Sequence, residues 1–256
     1  MDVFQAIILG IVQGITEWLP ISSKSHLLLI QHLFNLAPPV LFDLILHMGS
    51  LLVVIFVFWK DIKALILGLF QKNRESWLML GFLALATVPI AVCGFFLERV
   101  IKNTFNDLRI LGFGLLFTAL ILYLSSYPLK KEKKVTLGKS LLIGCSQVFA
   151  LFPGISRSGM TISTGMMLGI KKETVATFSF LLFIPAILGA TLLEFKDIGQ
   201  ITNVGALLVG TLVTVIVGYF SLKLLLHVIK KGKFAWFGLY CALLGVLVLL
   251  LAYGVF

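Results

Sequence analysis

Six apolar runs decide what this chain can become. They are Leu41–Trp59, Trp77–Leu97, Leu108–Tyr127, Val175–Leu193, Val204–Leu226 and Phe234–Phe256. Each approaches or exceeds the ~18–20 apolar residues that carry a helix across a bilayer. In hydrocarbon every backbone polar group must be satisfied within the protein, so such runs fold as helices packed side by side. The charge content agrees: 12% of the 256 residues are charged and the mean hydropathy is +1.08, whereas soluble domains carry ~25% charge. The expectation is one all-α polytopic membrane domain over residues 1–256, with membrane lipid as its surroundings. No nucleic-acid partner is expected, despite a formal net charge of +10. The opening residues begin Met1-Asp2, lack a basic stretch and contain Gln13 and Glu17, so they do not read as a signal peptide. Cys93, Cys145 and Cys241 stand singly in apolar segments, without metal or disulfide spacing.

Two other stretches are shorter and interrupted. Asp2–Leu19 is an apolar helix stopped by Pro20, and Leu27–Leu36 is too short to span; Leu137–Phe152 and Met160–Ile170 repeat that shape. Two short helices around a polar, Pro- and Ser-rich break fit a re-entrant hairpin, because irregular backbone at membrane depth is tolerated where it lines a cavity. Cramped full spans are the alternative.

The two breaks also look alike. "QGITEWLPISSKSH" starts at Gln13 and "QVFALFPGISRSGM" at Gln147, with Ser22 and Ser156 at the same offset and Pro20 and Pro153 before them. Phe42 and Phe178 each precede a Lys-Asp pair, Lys60-Asp61 and Lys196-Asp197, by eighteen residues. "GFGLLFTALILYL" from Gly112 echoes "GLYCALLGVLVLL" from Gly238. These matches point to two copies of one unit, about residues 1–130 and 131–256. An odd number of crossings per unit makes the copies inverted, an architecture that places a site at the repeat interface. The expected fold is therefore six transmembrane helices plus two re-entrant hairpins.

Basic residues set the orientation. One side receives Lys60, Lys63, Lys72, Arg74, Lys130, Lys131, Lys133, Lys134, Lys139, Lys171, Lys172, Lys230, Lys231 and Lys233. The other receives Arg99, Lys102 and Lys196, with Arg109 and Lys223 near or within spans. The richer side is expected to be cytoplasmic, which puts both termini outside the plasma membrane and the site opening to the outer face.

The first break holds Gln13, Glu17, Ser22, Ser23, Lys24, Ser25 and His26; the second holds Gln147, Ser156, Arg157, Ser158 and Thr161. Ionisable groups inside a membrane cost about 2.5–3.5 kcal/mol each and mark functional positions. An inverted repeat brings Glu17, Lys24, His26 and Arg157 into one pocket, and the chemistry there suits a phosphate. Ser22 or Ser23 can cap a helix starting near Ser25, and Ser156 or Ser158 one starting near Met160; helix starts offer free N–H groups to an anion. Arg157 offers a planar fork. Gly154 and Gly159 let the backbone approach closely. Ser22 or Ser23 with His26 at helical spacing reads as an activated nucleophile, with His26 as base and then acid. Glu17 could orient His26 or, beside Gln13, hold a divalent cation. The opposing readings are a purely structural Glu17–Arg157 ion pair, a satisfied core His26, and Ser and Gly runs serving helix packing. Asp43 and His47, one helical turn apart, either line the pocket or pair with each other.

"QGITEWLPISSKSH" and "PGISRSGMT" resemble the signatures of the undecaprenyl-diphosphate phosphatase family, also called bacitracin-resistance proteins, and the resemblance covers nearly the whole chain. It implies removal of the terminal phosphate from a polyprenyl diphosphate, recycling a lipid carrier for cell-envelope glycans. It implies Ser23 as nucleophile, Glu17 and His26 as catalytic, and Arg157 as phosphate-binding. Ser22, Lys24, Ser156, Ser158, Gly154 and Thr161 are expected around the phosphate. The family's link to Mg²⁺ or Ca²⁺ would place the ion at Glu17 and Gln13. Two departures stand out: Lys24 and Ser25 replace a hydroxyl residue and a Gly, and Gln13 takes the neutral option at the first acidic position. The alternative function is a flippase that carries polyprenyl phosphate lipids without hydrolysis. A purely structural membrane protein is a third reading, and a homodimer is an open option.

Overall fold

The computed structural model describes residues 2–34, 36, 40–104, 107–127, 134–194 and 203–254, without the side chains of residues 40, 102, 193 and 194. The sequence-level assignments for Lys130, Lys131, Lys133, Lys196 and Asp197, and for the side chain of Lys102, lie outside the described residues.

Helices follow the hydropathy. The described residues form α1 Val3–Thr16, α2 Ser23–Leu33, α3 Val40–Val57, α4 Trp59–Phe70, α5 Arg74–Thr104 and α6 Leu108–Leu124. They continue with α7 Leu137–Val148, α8 Arg157–Met167, α9 Lys172–Glu194, α10 Val204–Lys230 and α11 Trp236–Ala252. A 3₁₀ turn, Phe149–Leu151, extends α7. Polar residues start several of them by capping orphan N–H groups. Asp2 and Gln5 form a reciprocal capping box on α1, Asn203 accepts from the Ala206 N–H on α10, and Ser156 accepts from the Gly159 N–H on α8. Pro89 in α5 and Pro185 in α9 lie inside continuous helices, which long membrane helices tolerate because neighbours satisfy the freed carbonyls.

Each of the six apolar runs falls on one helix, apart from Trp59, which opens α4, and the described residues make an all-α polytopic membrane protein. α5, α9 and α10 are each long and apolar enough to cross a bilayer alone, and α3 with α4 makes a fourth such unit, bent by 74°. That bend was not expected. The run ending at Trp59 continues into α4, whose Lys60, Asp61 and Lys63 are exposed, and the bend turns this polar stretch away from the axis of α3. α6 and α11 have 17 residues each, about 26 Å of helix. Phe95, Phe96, Phe220 and Leu243 are all more than 60% exposed, a surface that fits hydrocarbon and not water.

The packing is close where residues are small. α1 lies along α10, and a Cβ on Gly10 would strike the backbone of Gly210. α5 lies along α7, where Gly144 meets the backbone of Ala86. α6 and α11 cross at Gly112 against Gly245 and at Gly238 against Ala119. α1 packs on α2, and α7 on α8, as two short hairpins. Trp18, in the turn after α1, is buried against α9, with its ring edge-on to Phe180 and Phe183 at 5.9 and 5.4 Å. Phe183 of this aromatic block also lies under Arg157 of the second break.

Candidate active site

Both breaks end in helices that start earlier than the sequence suggested. α2 begins at Ser23 rather than near Ser25, and α8 at Arg157 rather than near Met160. Ser23 and Arg157 are thus the first helical residues of two helices, where backbone N–H groups lack intrahelical partners and the helix dipole is positive. Ser22, just before α2, sits at φ 67° and ψ 94°, a strained conformation for a residue with a side chain. Its hydroxyl makes no cap to the backbone and accepts instead from Ser25 Oγ at 2.9 Å.

Glu17 is the hub. Its Oε1 accepts from Arg157 Nη2 at 2.5 Å. Its Oε2 accepts from Ser23 Oγ at 2.6 Å and from Gln13 Nε2 at 3.0 Å, and His47 Nε2 stands 3.6 Å from the same oxygen. Gln13, fully buried, also donates to Ser50 Oγ at 3.3 Å. The guanidinium of Arg157 stacks over Phe183, with Cζ 4.0 Å from the ring centroid, which fixes its plane and adds cation–π attraction. Residues 140 positions apart in sequence therefore share one ion pair.

Beside this pair is a cavity of about 120 Å³ lined by Glu17, Ser22, Ser23, Lys24, His47, Ser156, Arg157 and Ser158, with apolar walls from α5, α9 and Ile155. The arrangement can hold an anion between two helix starts, an Arg and a Lys. It can also take a proton from Ser23 onto Glu17.

Four expected residues are placed elsewhere. His26 does not reach Ser23. Its Nδ1 donates to the Ser22 carbonyl at 2.8 Å, and its Nε2 accepts from the Tyr240 hydroxyl at 2.8 Å. A carbonyl only accepts, so this assignment uses both nitrogens of the neutral ring. The rings of His26 and Tyr240 also stack, 11° apart in plane. Glu17 accordingly orients Ser23 and Arg157, not His26. Gly154, at φ +90°, uses its freedom against α6, where a Cβ would strike the Leu111 carbonyl; its own carbonyl accepts from Thr118 Oγ1 at 3.0 Å. Thr161 turns into the core and shares a 2.5 Å hydrogen bond with Ser179. Gln13 acts behind Glu17 and does not line the cavity.

The pair Glu17 and Gln13 does not fit a resident Mg²⁺ or Ca²⁺. Such ions take about six or more oxygen ligands. Here Gln13 turns its amide nitrogen, not its oxygen, toward the carboxylate, and both Glu17 oxygens already accept from protein donors. Among the described residues no group of three or more His, Cys, Asp or Glu converges.

Sequence reasoning left His47 open and missed Thr118, Phe183 and Tyr240. Thr118 clamps the second break, since it also accepts from the Ser156 N–H at 3.0 Å. Only a polar residue within an apolar span hinted at it. Phe183 and Tyr240 look like any other aromatic in a greasy helix.

The profile of the family described as "Bacitracin resistance protein BacA" matches residues 6–247. A protein named undecaprenyl-diphosphatase from Halothermothrix orenii is 37% identical over 265 residues, all of both chains. Proteins of the same name from Methanosphaera stadtmanae and Pelotomaculum thermopropionicum are 38% and 40% identical; the alignments cover 98% of this chain in each case, and 99% and 97% of theirs.

Proposed function

This chain belongs to the bacitracin resistance protein BacA family, and from that premise we propose that it hydrolyses undecaprenyl diphosphate to the monophosphate and inorganic phosphate. The observation that carries the reading at the level of chemistry is the Ser23–Glu17–Arg157 constellation at the mouth of two helix starts. It joins a hydroxyl, a proton acceptor 2.6 Å away and a cation on one cavity.

The reaction follows from those positions. The terminal phosphate enters between the starts of α2 and α8, where Arg157, Lys24 and the backbone N–H groups take up its charge. Ser23 Oγ attacks the terminal phosphorus. The bond from phosphorus to the bridging oxygen breaks, polyprenyl monophosphate leaves, and the hydroxyl proton passes to Glu17 Oε2. Water then attacks the phosphoserine, inorganic phosphate departs, and Glu17 returns the proton to Ser23. His26 supports this from behind by holding the Ser22 carbonyl, which sets the strained turn next to the nucleophile. Ser156 and Ser158 line the phosphate side of the cavity. A Glu17–Arg157 pair that only locked two helices would need neither a cavity nor a hydroxyl hydrogen-bonded to its carboxylate.

The site lies within an inverted repeat of six spanning helices and two re-entrant hairpins. Exchange of the halves supports this: α1 packs on α10 as α7 packs on α5, and α1 on α2 as α7 on α8. In the α6–α11 crossing the pair Gly112 and Gly245 corresponds to Gly238 and Ala119. α2 and α8 have 11 residues each, about 17 Å of helix, against ~30 Å of hydrocarbon. The protein sits in the plasma membrane with its termini and the mouth of the site outside. This orientation rests on the grouping of basic residues; in support of that grouping, Lys172 at the start of α9 lies beside Gly232 in the α10–α11 turn.

Purified protein is expected to release inorganic phosphate from undecaprenyl diphosphate in detergent. Background-level release, with lipid still crossing reconstituted vesicles, would establish the flippase reading instead. Arg157→Lys is expected to lower kcat/KM by about tenfold or more, because a Lys cannot make the two-pronged phosphate contact. Full activity of that variant would remove Arg157 from the phosphate site.

A further inference from the structure

The polar cavity, about 120 Å³, has room for a phosphate head group but not for the isoprenoid chain attached to it. Ile155 marks where the cavity turns apolar. It lines the polar cavity on one side and, on the other, a groove of about 310 Å³ between α6 and the second break. Ile110, Phe113 and Phe117 of α6 form one wall of this groove, and Phe152 and Pro153 the other. A larger apolar groove of about 470 Å³ lies between α3 and α10 around Phe56 and Phe220, and it shares no residue with the polar cavity. Continuity, not size, distinguishes the two.

We infer that the groove between α6 and the second break is the binding site for the first isoprene units of the substrate, the chain leaving the phosphate cavity past Ile155. The inference rests on the phosphatase reading for the identity of the chain, and on the shared wall for its location. Phe113 is 56% exposed, so the groove opens sideways to hydrocarbon and a lipid can enter without leaving the bilayer. Its floor is fixed. A Cβ on Gly114 would strike the Pro153 carbonyl, and Thr118 bonds both Gly154 and Ser156. Phe117 leans on Phe149 at 5.7 Å, which limits its movement. A wall of rings offers large apolar area at low conformational cost, suited to an unsaturated, methyl-branched chain. Because the same short segment carries Phe152, Ile155, Ser156 and Arg157, tail contact and phosphate contact are set by one rigid piece of backbone.

Two measurements test this. A fifteen-carbon isoprenoid diphosphate analogue with a photoreactive group on its second isoprene unit is crosslinked to the wild-type protein in detergent and mapped by mass spectrometry. Adducts on Phe113, Phe117 or Phe152, displaced by undecaprenyl diphosphate, are expected. Adducts around Phe56 and Phe220, or adducts that undecaprenyl diphosphate does not displace, overturn the site; the latter means ordinary lipid occupancy. In the second, Ile110→Trp fills the far end of the groove. Its kcat/KM is expected to fall about tenfold for undecaprenyl diphosphate and for the fifteen-carbon diphosphate alike, the scale of a misfit of one or two methylenes in an apolar pocket, while Phe220→Trp in the groove between α3 and α10 changes either by less than about twofold. No loss from Ile110→Trp, or an equal loss from Phe220→Trp, overturns the groove. Wild-type phosphate release from the analogue is measured in parallel. Release with adducts elsewhere rejects the groove and keeps the phosphatase; no release rejects the phosphatase, while the adduct map still locates the chain.

Discussion

Ser23→Ala is expected to lower kcat by about 10⁴-fold or more with KM for the lipid diphosphate little changed. The hydroxyl is placed as the attacking group, and removing a nucleophile leaves only the binding and charge-stabilising groups of the site. KM is expected to hold because Arg157, Lys24 and the helix starts, which bind the phosphate, do not depend on the Ser23 oxygen. The fold is expected to survive. Glu17 keeps its Arg157 and Gln13 partners and loses one hydrogen bond to a charged group, worth about 1.5–3 kcal/mol. The measurement is phosphate release under single-turnover conditions, combined with acid quenching to trap a phosphoserine in the wild type. A variant within tenfold of wild type would mean that water attacks the phosphorus directly and that Ser23 only orients Glu17.

Glu17→Gln tests a different role of the same cluster. The amide is nearly isosteric, but it cannot accept the Ser23 proton and it leaves the Arg157 guanidinium without its counter-charge. Loss of the proton acceptor is expected to reduce kcat by about 10²–10⁴-fold. Breaking a buried ion pair by removing one partner costs about 3–5 kcal/mol; the Arg157 side chain is 23% exposed, so the cavity screens it and the lower end is expected. A fall in the detergent melting temperature together with the loss of turnover is the predicted pattern. The double variant Glu17→Gln, Arg157→Met removes the unpaired charge. It is expected to recover stability but no activity. Recovered activity would rule out Glu17 as the proton acceptor, whereas unchanged stability in the single variant would show that the two charges are not coupled.

These effects converge on one oxygen pair because the site is assembled at the starts of two helices. Ser23 comes from α2 and Arg157 from α8, both at the first helical position. Glu17 reaches them from the end of α1, in the turn before Pro20. Short helices with polar breaks are what allow charged groups and unpaired N–H groups to sit inside such a protein.

Much of this was legible in the residues. Apolar runs of 18 or more residues admit only helices in lipid, so the all-α membrane fold follows from composition and run length. Pro20 and the Pro153-Gly154 step mark the two breaks because each stands beside a run of polar residues; Pro89 and Pro185, within apolar stretches, do not end their helices. Glu17 and Arg157 announce themselves because an ionisable side chain is costly inside an otherwise apolar membrane chain. None of these readings needs a contact. What the chain alone could not decide was which group serves which. Helical spacing offered Ser23 to His26, yet the orientation of α2 gives His26 to Tyr240, 214 positions away, and Ser23 to Glu17. Gly154 was read as a phosphate cradle and turned out to be the contact point with α6. His47 was one of two equal options until α3 packed beside α1. Such pairings depend on the angle at which helices cross and on which rotamer a packed neighbour permits, and neither is encoded in periodicity. Local physics sets where the polar groups stand along the chain; only the packed arrangement decides which of them touch.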